Sequence, residues 1–121
     1  MSRSERRKNR SNDAQEAANL YLSAAAQRRE FQALALANTQ GEVVAEAKSG
    51  VDSAALAAIA PFAQEGPVPT DGLLHFVTRG QALRLRNIDV DGNQMHLMTV
   101  GGDRATQPEI ENALKRILSE D

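Results

Sequence analysis

The chain of 121 residues contains no cysteine and no tryptophan, and its aromatic side chains are three Phe and one Tyr. Without cysteine there can be no disulfide, no thiolate metal centre and no cysteine nucleophile. With so few aromatics, any core must be assembled from Leu, Val, Ile and many Ala. Such side chains let elements approach closely but bury little area each, which favours stabilisation by self-association. No apolar run nears the roughly 18 residues that a membrane-spanning helix needs. The opening "MSRSERRKNR" is charged but is followed by no apolar stretch, so it does not read as a secretory leader and a cytoplasmic location is expected.

What is present fits one globular domain: 41% hydrophobic and 25% charged residues. The net charge of −2 conceals an asymmetry, because residues 1–10 carry Arg3, Arg6, Arg7, Lys8 and Arg10 against Glu5 alone. A basic leader on an acidic body suits nucleic acid or anionic lipid. No aromatic is interleaved with these charges, however, and residues 1–11 read instead as a solvated, disordered basic tail ahead of a domain over 12–121.

The stretch "ALALANTQGEVVAEA", Ala33 to Ala47, has the composition of a helix and the order of a hairpin. Asn38-Thr39-Gln40-Gly41 is turn chemistry, and the flanks alternate in side-chain character. Two strands are therefore expected, Phe31–Ala37 and Glu42–Ala47. The first is apolar on nearly every residue and so central; the second is half polar and so an edge. Before them, Asn12 to Glu30 reads as a helix, capped by Asn12 or Asp13, with Ala14, Ala17, Ala18, Tyr21, Ala24, Ala25 and Arg28 on one stripe. After them, Asp52 caps a second helix, Ser53–Gln64, whose inward stripe is Leu56, Ile59, Ala60 and Ala63 and which Pro61 should kink or end.

Gln64 to Gly72, with two Pro and two Gly, reads as loop. Three strands are expected next: Leu73–Thr78, Gln81–Val90 and Gln94–Val100. In the middle one the apolar parity slips from Leu83 and Leu85 to Ile88 and Val90, which a β-bulge near Arg86-Asn87 would repair. Asp91-Gly92 is a tight hairpin signal. Thr106-Gln107-Pro108-Glu109 reads as a capping box opening a final helix with Ile110, Ala113, Leu114, Ile117 and Leu118 inward. The order α-β-β-α-β-β-β-α then gives an α+β fold: a five-stranded antiparallel sheet, order 2-1-5-4-3, flanked by three helices.

No catalytic constellation stands out. His75 and His96 are the only histidines, and the expected sheet order puts a strand between them, which argues against shared metal ligation. Val100-Gly101-Gly102-Asp103-Arg104 lacks the Lys-Ser/Thr of a phosphate loop and reads as a strand-to-helix connection. No cofactor, metal site or enzymatic activity is expected. The sharper candidates are apolar. "LLHFV" on an exposed edge strand is an aggregation hazard unless covered, and a second copy would cover it. Leu56, Ile59 and Phe62 of the second helix, with Leu73, Leu74, His75, Phe76 and Val77 of that strand, form the candidate dimer or partner interface.

The body from about Ser11 to Glu120 resembles the Roadblock/LC7 domain, a small relative of the profilin and longin folds. The likeness lies in "FQALALANTQGEVVAEA" followed by a Gly, the Asp-capped "DSAALAAIA", a strand, the hairpin "DVDGNQMHLMTVGG" and a closing helix. The resemblance implies a non-enzymatic, dimeric adaptor that binds a small Ras-like GTPase or a related signalling or motility partner. It also implies dimer contacts through the second helix and third strand. The alternative on the same fold is a small-molecule or peptide sensor, with a pocket between the sheet and the first or last helix.

Overall fold

The structure is a computed structural model that describes residues 3–102 and 104–119, with the side chains of 3–12, 73 and 104 outside the description. It is built as α1 (Arg3–Arg28), β1 (Phe31–Asn38), β2 (Val43–Glu46), α2 (Ser53–Ile59), β3 (Gly66–Val68), α3 (Leu73–Val77), β4 (Leu83–Val90), β5 (Asn93–Gly101) and α4 (Gln107–Leu118). Single 3₁₀ turns follow α2 and precede α4. The five strands form one antiparallel sheet in the order β2-β1-β5-β4-β3. The α+β class and strand order are as the sequence indicates, with four helices rather than three.

β1 answers the question its alanines raise. Ala33 through Ala37 are all fully buried. Leu34 and Leu36 point to one face, where they meet Ala18, Leu22, Ala25 and Ala26 of α1 and Ile110 and Leu114 of α4. Ala33, Ala35 and Ala37 point to the other, where they meet Leu56, Ala57 and Ala60. The β1–β2 turn is tied by its first residue: Asn38 Oδ1 accepts the N–H groups of Gln40 and Glu42, each at 3.0 Å, and Gly41 takes φ 82°.

β4 corrects an expectation. Its pairing with β5 runs from Leu83↔Val100 to Val90↔Asn93 without a register shift, so there is no bulge at Arg86-Asn87. The parity slip has another cause. Leu83 and Leu85 are buried under the α2 side, Ile88 and Val90 under the α1/α4 side. The helices cover different halves of the two faces, so a regular strand changes its buried face midway. Irregularities do occur in β1, between Leu36 and Ala37 against β2 and between Phe31 and Ala33 against β5.

The third strand is the larger correction. "LLHFV" is helix α3, and the β3 edge is Gly66-Pro67-Val68, inside the stretch expected to be loop. Burial follows helical spacing: Leu74 and Val77 are half-buried and Thr78 buried, while His75 and Phe76 are exposed. Pro67 is tolerated because an edge strand has only one hydrogen-bonded side.

Three smaller differences concern the helices. α1 starts at Arg3, not Asn12, so neither Asn12 nor Asp13 caps it; residues 3–11 contain no Gly or Pro to stop a helix, and Met1 and Ser2 of the expected tail lie outside the described residues. Its buried stripe is Ala18, Leu22, Ala25 and Ala26, with Ala17, Ala24 and Arg28 exposed. Thr106 makes no side-chain cap bond, because Arg104–Thr106 is already a 3₁₀ turn and holds Thr106 in helical φ/ψ. α4 is anchored instead by buried Gln107, whose Nε2 donates to Thr99 Oγ1 of β5 at 3.0 Å.

Gly102 joins β5 to this turn at φ 70°, and a Cβ there would lie 2.3 Å from Cδ1 of the Phe31 ring. Gly102→Ala is expected to lower unfolding free energy by about 2–5 kcal/mol, combining left-handed strain with overpacking, as measured by urea denaturation.

Candidate functional site

Two concavities lie beside the β3 edge, one on each face of the sheet. The first is an apolar groove. Asp52, in extended geometry, accepts from Ala55 N at 3.2 Å through Oδ1 and starts α2. Ser53, Leu56 and Ala57 bury against the alanine side of β1. Pro61 cannot donate the next helical bond, so the chain tightens into a 3₁₀ turn, Ala60–Phe62, and Ala63 leaves it extended. Phe62 is thus thrown outward, 89% exposed. After β3, Gly72 at φ 57° turns the chain into α3, which Arg79 (φ 56°) and Gly80 (φ 75°) terminate. Arg79 Nη2 donates to Gly50 O at 3.2 Å, fixing the end of α3 to the loop that leads into α2.

The groove so formed has a volume of about 600 Å³ and is lined by Ile59, Phe62, Ala63, Gln64, Val68 and Leu74, with Pro67 and Pro69 on its rim. Phe76, two residues beyond Leu74, is 82% exposed. The sequence-derived interface is therefore only partly assembled. Ile59, Phe62 and Leu74 line the groove; Val77 is half-buried against the core. His75 and Phe76 face outward on α3. Leu56 is fully buried and belongs to the core, and the side chain of Leu73 lies outside the described residues. The expectation that Leu73–Val77 is an exposed strand edge is overturned by its helical geometry. Missed in the sequence were Pro67, Val68 and Pro69; the available signal was one β-branched residue between two prolines, which reads equally as loop.

The second concavity is a polar cleft of about 540 Å³ between β3, β4 and the start of α4, whose walls include Glu65, Arg84, Arg86, Gln107 and Glu111. Arg86 and Lys115 both pair with the Glu111 carboxylate, the latter at 2.9 Å. Burial disfavours the charged form of Glu111, but hydrogen bonds from and proximity to these two cations outweigh it, so its carboxyl titrates below the ordinary value of 4.5. Arg84, on the same strand face, has no side-chain hydrogen bond or ion pair among the described residues. On the other face, His96 Nδ1 lies 2.8 Å from Asn87 Oδ1, and desolvation holds the imidazole below its ordinary 6.5.

Among the described residues, no group of three or more His, Cys, Asp or Glu is placed to hold a metal ion, and no helix is long and apolar enough to cross a membrane. No family model, curated protein or solved structure matches the chain.

His96 and Glu111 both destabilise the fold in acid. A lowered histidine pKa means that the unfolded chain takes up its proton first, so that contribution falls as pH drops below 6.5. A lowered carboxyl pKa gives stability that is present above 4.5 and lost as pH falls through the folded-state value. Urea unfolding measured against pH should show two acid limbs, with His96→Gln flattening the upper and Glu111→Gln the lower.

Proposed function

We propose that this chain is a non-enzymatic adaptor that acts as a homodimer, using the groove face of α2, β3 and α3 as its self-contact. In line with the family its sequence resembles, the proposed client is a small Ras-like GTPase. One observation carries the self-association half: Phe62, a large exposed aromatic, lines an apolar groove, and Phe76, the other, stands on the outer side of α3, whose Leu74 lines the same groove. Each is worth roughly 1.5–3 kcal/mol when removed from water, and an apolar patch with polar surroundings is the common signature of a protein contact.

The contact follows from side chains rather than from strand pairing. β3 has three residues, Pro67 has no N–H, and Pro69 follows at once, so this edge is poorly equipped to extend the sheet into a second copy. That differs from the strand-mediated pairing implied by the resemblance and moves the interface onto the α2 and α3 faces.

A sensor is the second reading, favoured by the cleft between the sheet and α4 with its Arg84, unpaired among the described residues. Its ligand would be a small anion, and a thermal shift with a panel of carboxylates that Arg84→Gln abolishes is its test.

For the adaptor, light scattering of the wild-type protein should give twice the 13.1 kDa chain mass. The double substitution Phe62→Asp and Phe76→Asp should weaken dimerisation by at least about 30-fold, the equivalent of one lost hot spot near 2 kcal/mol, with far-ultraviolet circular dichroism unchanged. A wild-type monomer at about 100 μM, where even a modest micromolar contact would be saturated, overturns the dimer. Pull-down against a set of Ras-like GTPases in both nucleotide states tests the client separately.

A further inference from the structure

The two ends of the sheet are finished in different ways. At β2, the residues facing β1 are the odd-numbered ones: Ala47 N donates to Leu34 O at 2.9 Å. The even-numbered backbone groups point away from the sheet, where a neighbouring strand would meet them. On each of the three even-numbered residues that follow in register, Val44, Glu46 and Lys48, one such group is occupied by a side chain of α1. Gln15 Nε2 donates to Val44 O at 2.9 Å, Asn19 Oδ1 accepts from Glu46 N at 2.8 Å, and Ser23 Oγ accepts from Lys48 N at 2.9 Å.

The spacing explains why three rungs form. Residues four apart on a helix advance about 6 Å along its axis. Residues two apart on a strand advance about 6.6–6.8 Å. A helix lying parallel to an edge can therefore offer one side chain to each outward-facing residue for three successive rungs before the mismatch accumulates. Gln15, Asn19 and Ser23 are i, i+4 and i+8; Val44, Glu46 and Lys48 are j, j+2 and j+4.

The seam is open. A cavity of about 310 Å³ runs along it, lined by Asn19, Leu20, Ser23, Glu46 and Lys48, and Leu20 is 67% exposed. Apolar anchoring of α1 lies towards its C-terminal end, at Leu22, Ala25 and Ala26, with Ala18 the one buried residue before them among those described. Across the N-terminal half of the contact, these hydrogen bonds act beside the packing of Ala18 and Tyr21 in the apolar cluster that also holds Val44, Ala45 and Ala47.

We infer that α1 is a latch over a concealed strand-pairing edge, and that the occupant it excludes is β2 of a second copy of this chain. Outward N–H and C=O groups at strand spacing are what an antiparallel strand requires, and β2 carries neither Pro nor Gly to prevent pairing. With α1 in place one outward group on each of Val44, Glu46 and Lys48 is taken, and assembly ends there. With the ladder removed, the edge becomes a second self-contact, at the opposite end of the sheet from the groove; two such contacts on one chain generate open-ended assemblies. The latch does not depend on the groove being a dimer surface.

The test is the triple substitution Gln15→Ala, Asn19→Ala and Ser23→Ala. Hydrogen exchange at the Glu46 and Lys48 amides should quicken at least tenfold, with Ala47 N–H, which points into the sheet, as the internal control. Light scattering should show mass rising with concentration beyond that of the wild type. In the Phe62→Asp, Phe76→Asp background the same triple change should stop at two chains. Unchanged exchange at Glu46 and Lys48, or unchanged mass, overturns the latch. If the aromatic pair alone leaves the wild-type mass unaltered, the groove reading fails while the exchange result still decides the latch. Should the triple variant not fold, Asn19→Ala alone must speed the Glu46 amide and Asn19→Asp, which keeps an acceptor oxygen, must hold it near the wild-type rate.

Discussion

Burial of β1 on both faces is the constraint from which the rest of the structure follows. Ala33, Ala35 and Ala37 have no side chain beyond Cβ, so α2 settles close to the sheet; a Cβ on Gly41 would already lie 3.3 Å from the Ala57 carbonyl. Leu34 and Leu36 supply the bulk on the opposite face, where they meet Ala18, Leu22, Ala25 and Ala26 of α1 and Ile110 and Leu114 of α4. The alanines of β1 bury little area each, and Phe62, just beyond α2, and Phe76 of α3 are left in solvent.

The covering helices are offset, and the offset produces the other features. α2 packs on β1, β2 and β5, in the cluster that buries Leu83 and Leu85 of β4; α1 packs on β1 and β2 and α4 on β4, in the cluster that buries Ile88 and Val90. Where a face of β4 is left uncovered, polar residues take over. Arg84 and Arg86 line the cleft below α4, and Asn87 pairs with His96 where α2 does not reach. The two sheet edges are likewise protected by unlike means. β3 is short and carries Pro67, which removes a donor; β2 is longer and is covered by side chains of α1. Both devices keep strand edges from meeting other strands, but only the second can be undone by moving a helix.

Most of the fold was legible in particular residues. Asn38 to Gly41 marked a hairpin despite a helix-favouring composition, because turn residues in the middle of an alanine-rich run have no place in a helix. Asp91-Gly92 marked the second hairpin, and both residues take positive φ. Asp52 capped α2 as its position indicated. The misread parts were those where short segments carry two codes. "LLHFV" alternates and also repeats at three and four; five residues are too few for one period to exclude the other. "GPV" is loop by composition and strand only because Leu83, Arg84 and Leu85 lie alongside it. The parity slip in β4 was a true signal given the wrong cause, since one sequence cannot show which helix covers which half of a face.

The sequence by itself determined β1, β2, β4 and β5, their antiparallel order and the central place of β1, because periodicity and turn chemistry are local and in these strands each was written over enough residues to be read. Tertiary structure alone decided where the third strand lies, that Leu56 is core while Phe62 and Phe76 are surface, and that Gln15, Asn19 and Ser23 serve the β2 edge. Those outcomes depend on which elements meet across the chain. A helix step of four residues matching a strand step of two is a property of the pair, present in neither segment read alone.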